Sequence, residues 1–303
     1  MNHETDKAIA YLRNENGERV DGEPFFMVLA YNPPHSPYRS MEDCMEEDFA
    51  HYKDKSLSEL YTRENADTTM TKAESARYYF ASVTGVDRNF GRIMAELERL
   101  GLDENTIVVF TADHGETMCS HGINEPKNNI YTEAFTVPFM IRYPGKIRHR
   151  VEKTLFSAID IMPTMLGLAG FSEEIPETCE GRNIAPMLLE NGEKCDLPES
   201  ALYIKNVNGE RGEDGLVHSF FPVARGIRTA TYSMSISIDK EYNITEVKLF
   251  NDIDDPYQMY NIDYKENHEL FSELCDLLRA KLEEANDIWF REGYMDKIEA
   301  KLQ

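Results

Sequence analysis

The chain has 303 residues, 41% of them hydrophobic and 29% charged, ample for one large core or two modest ones. Its formal net charge of −23 argues against a nucleic-acid or anionic-membrane partner, because both demand cationic surface. Five cysteines without regular spacing argue against a disulfide framework and favour a reducing, cytoplasmic compartment, and no apolar run is long enough to span a bilayer.

The polar opening Met1-Asn2-His3-Glu4 does not resemble a signal peptide, and residues 4–14 read as a helix with Ile9 and Leu12 on one face. Residues 25–31 (Phe-Phe-Met-Val-Leu-Ala-Tyr) read as a buried strand that stops at Asn32-Pro33-Pro34-His35-Ser36-Pro37-Tyr38, a loop stiffened by prolines. Residues 41–69 are polar and irregular, and the acids at 42–48 read as a solvated run. From 72 to 100 the apolar positions Ala76, Tyr79, Val83, Val86, Phe90, Ile93, Leu97 and Leu100 keep helical spacing, and Gly101 follows as a C-cap. Residues 106–112 form a second apolar strand that ends at Asp113-His114-Gly115. Strand, helix and strand make a βαβ unit, so 25–31 and 106–112 are expected to lie parallel in one sheet. Residues 137–143 form a further strand, and 156–168 lead into and through a helix. Beyond about 195 the texture changes to short alternating runs at 201–204, 223–229, 232–238 and 247–250, which predict an antiparallel sheet. A terminal helix over 266–290 carries Leu270, Phe271, Leu274, Leu277, Leu278, Ala285 and Trp289. The predicted organisation is an α/β domain over 1–195, with a mostly parallel sheet between helices, and a smaller antiparallel α+β subdomain over 196–303.

Ligands of open α/β sheets gather beyond the carboxyl ends of the strands. The candidate residues converge on such tips. His35 follows the first strand, Asp113 and His114 the second, and His121 and Lys127 the loop beyond it. A carboxylate beside an imidazole suits a divalent cation, a nearby lysine suits a tetrahedral anion, and a histidine held between prolines is placed to protonate a leaving group.

These segments resemble the sulfatases of the alkaline phosphatase superfamily, over roughly residues 5 to 290. The match includes Tyr31–Tyr38, the helical stretch Tyr78–Ile93, the run Asp103–Glu116, Lys127, and the Val137-Pro138-Phe139-Met140-Ile141 strand. It continues through Asp160–Leu166 and Leu249–Pro256. The resemblance implies an alkaline phosphatase-like fold and sulfate-ester hydrolysis with Ca2+ and a formylglycine nucleophile. In that frame Asp113 and His114 would ligate calcium, and Lys127 would bind a sulfate oxygen. His35 would protonate the departing alcohol, and His121 either lines the pocket or serves structure.

The family makes its formylglycine from a Cys-x-Pro-x-Arg or Ser-x-Pro-x-Arg motif, and none occurs in these 303 residues. The family's further pair of calcium-binding aspartates is also unmatched, since Asp254-Asp255 sits in a late Asp-Pro turn and reads as structural. The expectation is a sulfatase domain lacking an N-terminal segment, with half a calcium site and no substantial activity by itself. An incomplete sheet calls for another chain to cover it. The expected ligand is a sulfated small molecule or glycan. Two alternatives stay open: a phosphodiesterase or phosphonate hydrolase of the same superfamily, and a non-catalytic sulfatase-like binding protein.

Overall fold

The structure is a computed structural model and describes residues 1–20, 22–189, 192 and 195–301. In chain order the elements are α1 (Asn2–Leu12), α2 (Glu46–Phe49), α3 (Leu57–Leu60), α4 (Ala76–Arg99), β1 (Val108–Thr111), α5 (Thr132–Phe135), β2 (Phe139–Arg142), α6 (Ala158–Leu168) and α7 (Ala185–Leu188). There follow β3 (Ala201–Asn208), β4 (Phe220–Arg228), β5 (Tyr232–Ile238), β6 (Ile244–Asn251), α8 (His268–Glu284), α9 (Ile288–Arg291) and α10 (Tyr294–Glu299). They group into two compact units, the first comprising 1–110, 118–124 and 140–146, the second 111–117, 125–139 and 147–303.

In the first unit Ala8, Ile9 and Leu12 of α1 close on Ile93 and Leu97 of α4. Helix α4 is the expected amphipathic helix, but its inner row differs from the apolar reading. Ala81, Gly85, Asn89, Ile93 and Leu97 are buried at four-residue spacing, while Val83 is 40% exposed. Small and polar residues occupy this row because other segments come very close. A Cβ on Gly85 would lie 2.8 Å from Met1 Cε and 2.9 Å from Asp48 Oδ2. Asp48 corrects the reading of 42–48 as wholly solvated, for it is buried and its carboxylate accepts from Arg88 at 2.9 and 3.1 Å. A desolvated carboxylate needs such a partner.

The segment 25–31 is also corrected. It is extended, with Phe25, Met27 and Leu29 packed on the α1–α4 cluster, yet Phe26 is 86% and Val28 75% exposed. Among the described residues it joins no sheet, and β1 pairs with β2 alone. A continuous apolar run suggests two covered faces. Only one is covered here, and the expected parallel pairing with 106–112 does not form among the described residues.

The second unit contains the predicted antiparallel sheet, in the order β3-β4-β5-β6. Ile227, Met234, Ile236 and Leu249 of this sheet pack on Phe271, Leu274, Leu278 and Leu282 of α8. Helix α8 stops before the predicted end at 290. Asn286 takes a left-handed φ of 45°, and Asp287 accepts the Trp289 N–H at 2.8 Å, starting α9. Trp289 is thereby turned into the core, where its indole N–H donates to Pro222 O at 2.7 Å. Asp254 and Asp255 act within a turn as expected, Asp255 accepting the backbone N–H groups of Met259 and Tyr260. No described helix is long and apolar enough to cross a membrane.

Candidate active site

Strand β1 gives way at Ala112 to Asp113, an exposed residue whose Oδ1 accepts the His114 N–H at 3.0 Å. The next residue must be glycine for a steric reason. Its N–H donates to Ala134 O at 3.0 Å, and a Cβ there would lie 1.9 Å from Glu133 O. The strand tip is thus pressed against α5, and this contact sets where the two preceding side chains begin.

Three of the predicted residues come together in the second unit. His114 Nδ1 donates to Gly115 O at 2.7 Å, which leaves the Nε2 lone pair to accept from Lys127 Nζ at 3.0 Å. Asp113 Oδ2 stands 3.6 Å from the same Nε2, and its side chain is 87% exposed. Lys127 reaches this position from a loop tied to the strand tip. Thr117 donates its N–H to Pro126 O at 2.8 Å and its hydroxyl to Glu125 O at 2.9 Å. Tyr203 and Lys205 of β3 also bond this loop. The result is a half-buried ammonium beside an imidazole and an exposed carboxylate. A locally placed cation of this kind can take an anionic oxygen even on a strongly acidic protein.

His35 and His121 belong to the first unit. His35 is exposed, with Nδ1 donating to Ser36 O at 2.9 Å, in a loop with cis bonds at Pro33-Pro34 and Ser36-Pro37. His121 is half-buried with a left-handed φ of 61°. Its N–H donates to Asn65 O at 2.7 Å, and its Nε2 accepts from Asn65 Nδ2 at 3.1 Å. Asn65, Thr117, Tyr203 and Lys205 escaped the sequence reading. None carries a motif, and the β3 pair lies about eighty positions from the loop it holds, so only its place in an alternating strand hints at a role.

Calcium prefers six to eight hard oxygen ligands. Among the described residues no group of three or more His, Cys, Asp or Glu side chains could hold a metal ion. Asp113 offers one carboxylate, and both His114 nitrogens already have protein partners. This donor set does not by itself make a calcium site.

A sequence model of the sulfatase family matches residues 2–171, and one of the N-sulphoglucosamine sulphohydrolase C-terminal region matches 120–287. An endo-4-O-sulfatase of Bacteroides thetaiotaomicron is 50% identical over 298 residues, 98% of this chain and 59% of the relative. An ulvan-active sulfatase of Formosa agariphila is 29% identical over 290 residues, 91% of this chain and 52% of the relative. A solved 4S-sulfatase structure, from work on glycosaminoglycan metabolism by Bacteroides thetaiotaomicron, superposes with a TM-score of 0.94 at 49% identity. That superposition covers 98% of this chain and 61% of the solved one. The chain therefore spans just over half the length of these curated relatives. Its ordered motifs, its α/β fold with a C-terminal antiparallel sheet, and the match over residues 2–171 agree: the chain belongs to the sulfatase family, within the alkaline phosphatase superfamily.

Proposed function

We propose that this chain carries the anion-handling part of a sulfuric ester hydrolase that acts on 4-O-sulfated glycosaminoglycans. The observation that carries the reading is the Lys127 ammonium held 3.0 Å from His114 at the tip of β1, beside the exposed Asp113 carboxylate. Lys127 is the group that binds a sulfate oxygen, and His35 supplies the proton for the departing sugar hydroxyl. In a formylglycine-type reaction Asp113 and His114 would be this chain's contribution to a calcium site, and the ion would offset charge on the sulfate. The identity with the endo-4-O-sulfatase supports the position of the ester on the glycan.

The formylglycine route needs a nucleophile, and these 303 residues contain no Cys-x-Pro-x-Arg or Ser-x-Pro-x-Arg motif. It also needs calcium ligands beyond Asp113 and His114. Both are therefore supplied by polypeptide other than these residues, and the 303-residue chain binds its ligand without turning it over.

The test is calorimetric titration of the chain with a chondroitin 4-sulfate tetrasaccharide, with free sulfate followed in parallel by ion chromatography. Binding is expected, with no sulfate released, and Lys127→Ala should weaken it at least about tenfold, the scale of a charge-assisted hydrogen bond. Sulfate release that survives Lys127→Ala would overturn the assignment. So would equal affinity for the desulfated tetrasaccharide, and preferential binding of a phosphate monoester would redirect it to phosphoryl chemistry.

A further inference from the structure

The placement of Lys127 depends on more than its imidazole partner. A lysine side chain is long and flexible, so its ammonium is only as well placed as the backbone that carries it. Thr117 holds the loop ahead of Lys127, through the carbonyls of Glu125 and Pro126. Behind Lys127, Asn128 turns the chain with a left-handed φ of 64°, and its carbonyl accepts the Tyr203 hydroxyl at 2.8 Å. Two residues ahead of Lys127, both Glu125 carboxylate oxygens accept from Lys205 Nζ, at 2.8 and 3.0 Å.

Tyr203 and Lys205 lie two apart on β3 and share one face of the strand. Tyr203 is buried with Ile130 and Ala224, and its ring meets Phe135 edge-on at a centroid distance of 5.6 Å. Burial also pushes its phenol well above the usual range, which keeps the hydroxyl a donor. Lys205 ties the loop ahead of Lys127 to β3 through its ion pair with Glu125.

We propose that Tyr203 and Lys205, two residues of the C-terminal sheet, are positioning residues that clamp the loop carrying Lys127 and so set the anion-binding geometry. This rests on the reading of Lys127 as the anion-binding group. The test uses the 303-residue chain with Tyr203→Phe, Lys205→Met and Lys127→Ala. One readout is the 15N chemical shift of His114 Nε2 at fixed pH without ligand, because that atom accepts from Lys127. The other is the affinity for inorganic sulfate by calorimetry.

Tyr203→Phe keeps the packed ring and removes only the hydroxyl. It should move the Nε2 signal part of the way toward its position in Lys127→Ala and weaken sulfate binding about two- to tenfold, the range of one net hydrogen bond. Lys205→Met should do likewise, and if it fails to fold, Tyr203→Phe decides alone. An unmoved Nε2 signal in Tyr203→Phe, with or without a lower melting temperature, would reduce Tyr203 to a structural residue and overturn the clamp. Unchanged sulfate affinity in Lys127→Ala would instead refute the anion-binding reading, while the Nε2 signal would still judge the clamp.

Discussion

Replacing Gly115 by alanine should be far more damaging than one added methyl suggests. The new Cβ would sit 1.9 Å from Glu133 O and 2.9 Å from both Glu133 C and Thr136 O. These are backbone atoms that cannot swing aside. Comfortable contact begins near 3.4 Å, so the strand tip and α5 must part by about 1.5 Å. Overpacking of this kind costs about 1–3 kcal/mol, and losing the bond from Gly115 N to Ala134 O adds about 1 kcal/mol. At about 2–4 °C per kcal/mol, the melting temperature should fall by about 5–15 °C. The matched control is Gly91→Ala, on an exposed face of α4 where nothing lies within 4 Å of the added atom. There the gain in helix propensity should raise stability by about 0.5–1 kcal/mol. Scanning calorimetry of both variants separates the cases. If Gly115→Ala melts within about 2 °C of the parent, the close approach to α5 is not what demands glycine after Asp113-His114, and the steric reasoning fails.

Asp287→Ala should cost about 3–5 kcal/mol in a urea titration, because it strands the buried Arg225 guanidinium 3.0 Å away and also removes the cap on Trp289 N. Asp160→Ala should cost about 2–3 kcal/mol in the same assay, since its buried carboxylate accepts the backbone N–H groups of both Ser157 and Arg182. Hydrogen bonds from Arg13 and then Arg99 hold the Glu96 carboxyl down to about 2, against an ordinary 4.5. Its contribution to stability is therefore complete above pH 4.5 and is lost as the pH falls from 4.5 toward 2. Glu96→Gln should flatten that part of an acid-unfolding curve, and an unchanged curve would show that the two arginines do not stabilise the ionised form.

The elements legible in the sequence are those whose burial pattern is generated locally. The alternation at 232–238 and the long periodicity of α4 each predict an element that forms, although β5 is buried on both faces and the innermost row of α4 is not the apolar one. The reading of α8 ran past its end, because apolar spacing continues through Ala285 and Trp289 while the backbone breaks at Asn286. What breaks it is a preference for Asp287 as a cap and as the partner of Arg225, sixty-two positions away. The burial of Asp48 leaves no local trace for a similar reason, since its guanidinium partner lies forty positions downstream.

By itself the sequence determined which chemical groups are present: an Asp-His-Gly after an apolar strand, a lysine shortly beyond it, a histidine among prolines, and no formylglycine motif. Those are covalent facts, and their order is enough to assign the family. Only the tertiary structure decided that the Lys127 ammonium meets His114 Nε2, that Gly115 is glycine because α5 leaves no room for a Cβ, and that a strand of the C-terminal sheet braces the lysine loop. These depend on contacts between residues far apart in the chain, where packing and hydrogen-bond satisfaction choose the neighbours and local spacing carries no trace of the choice.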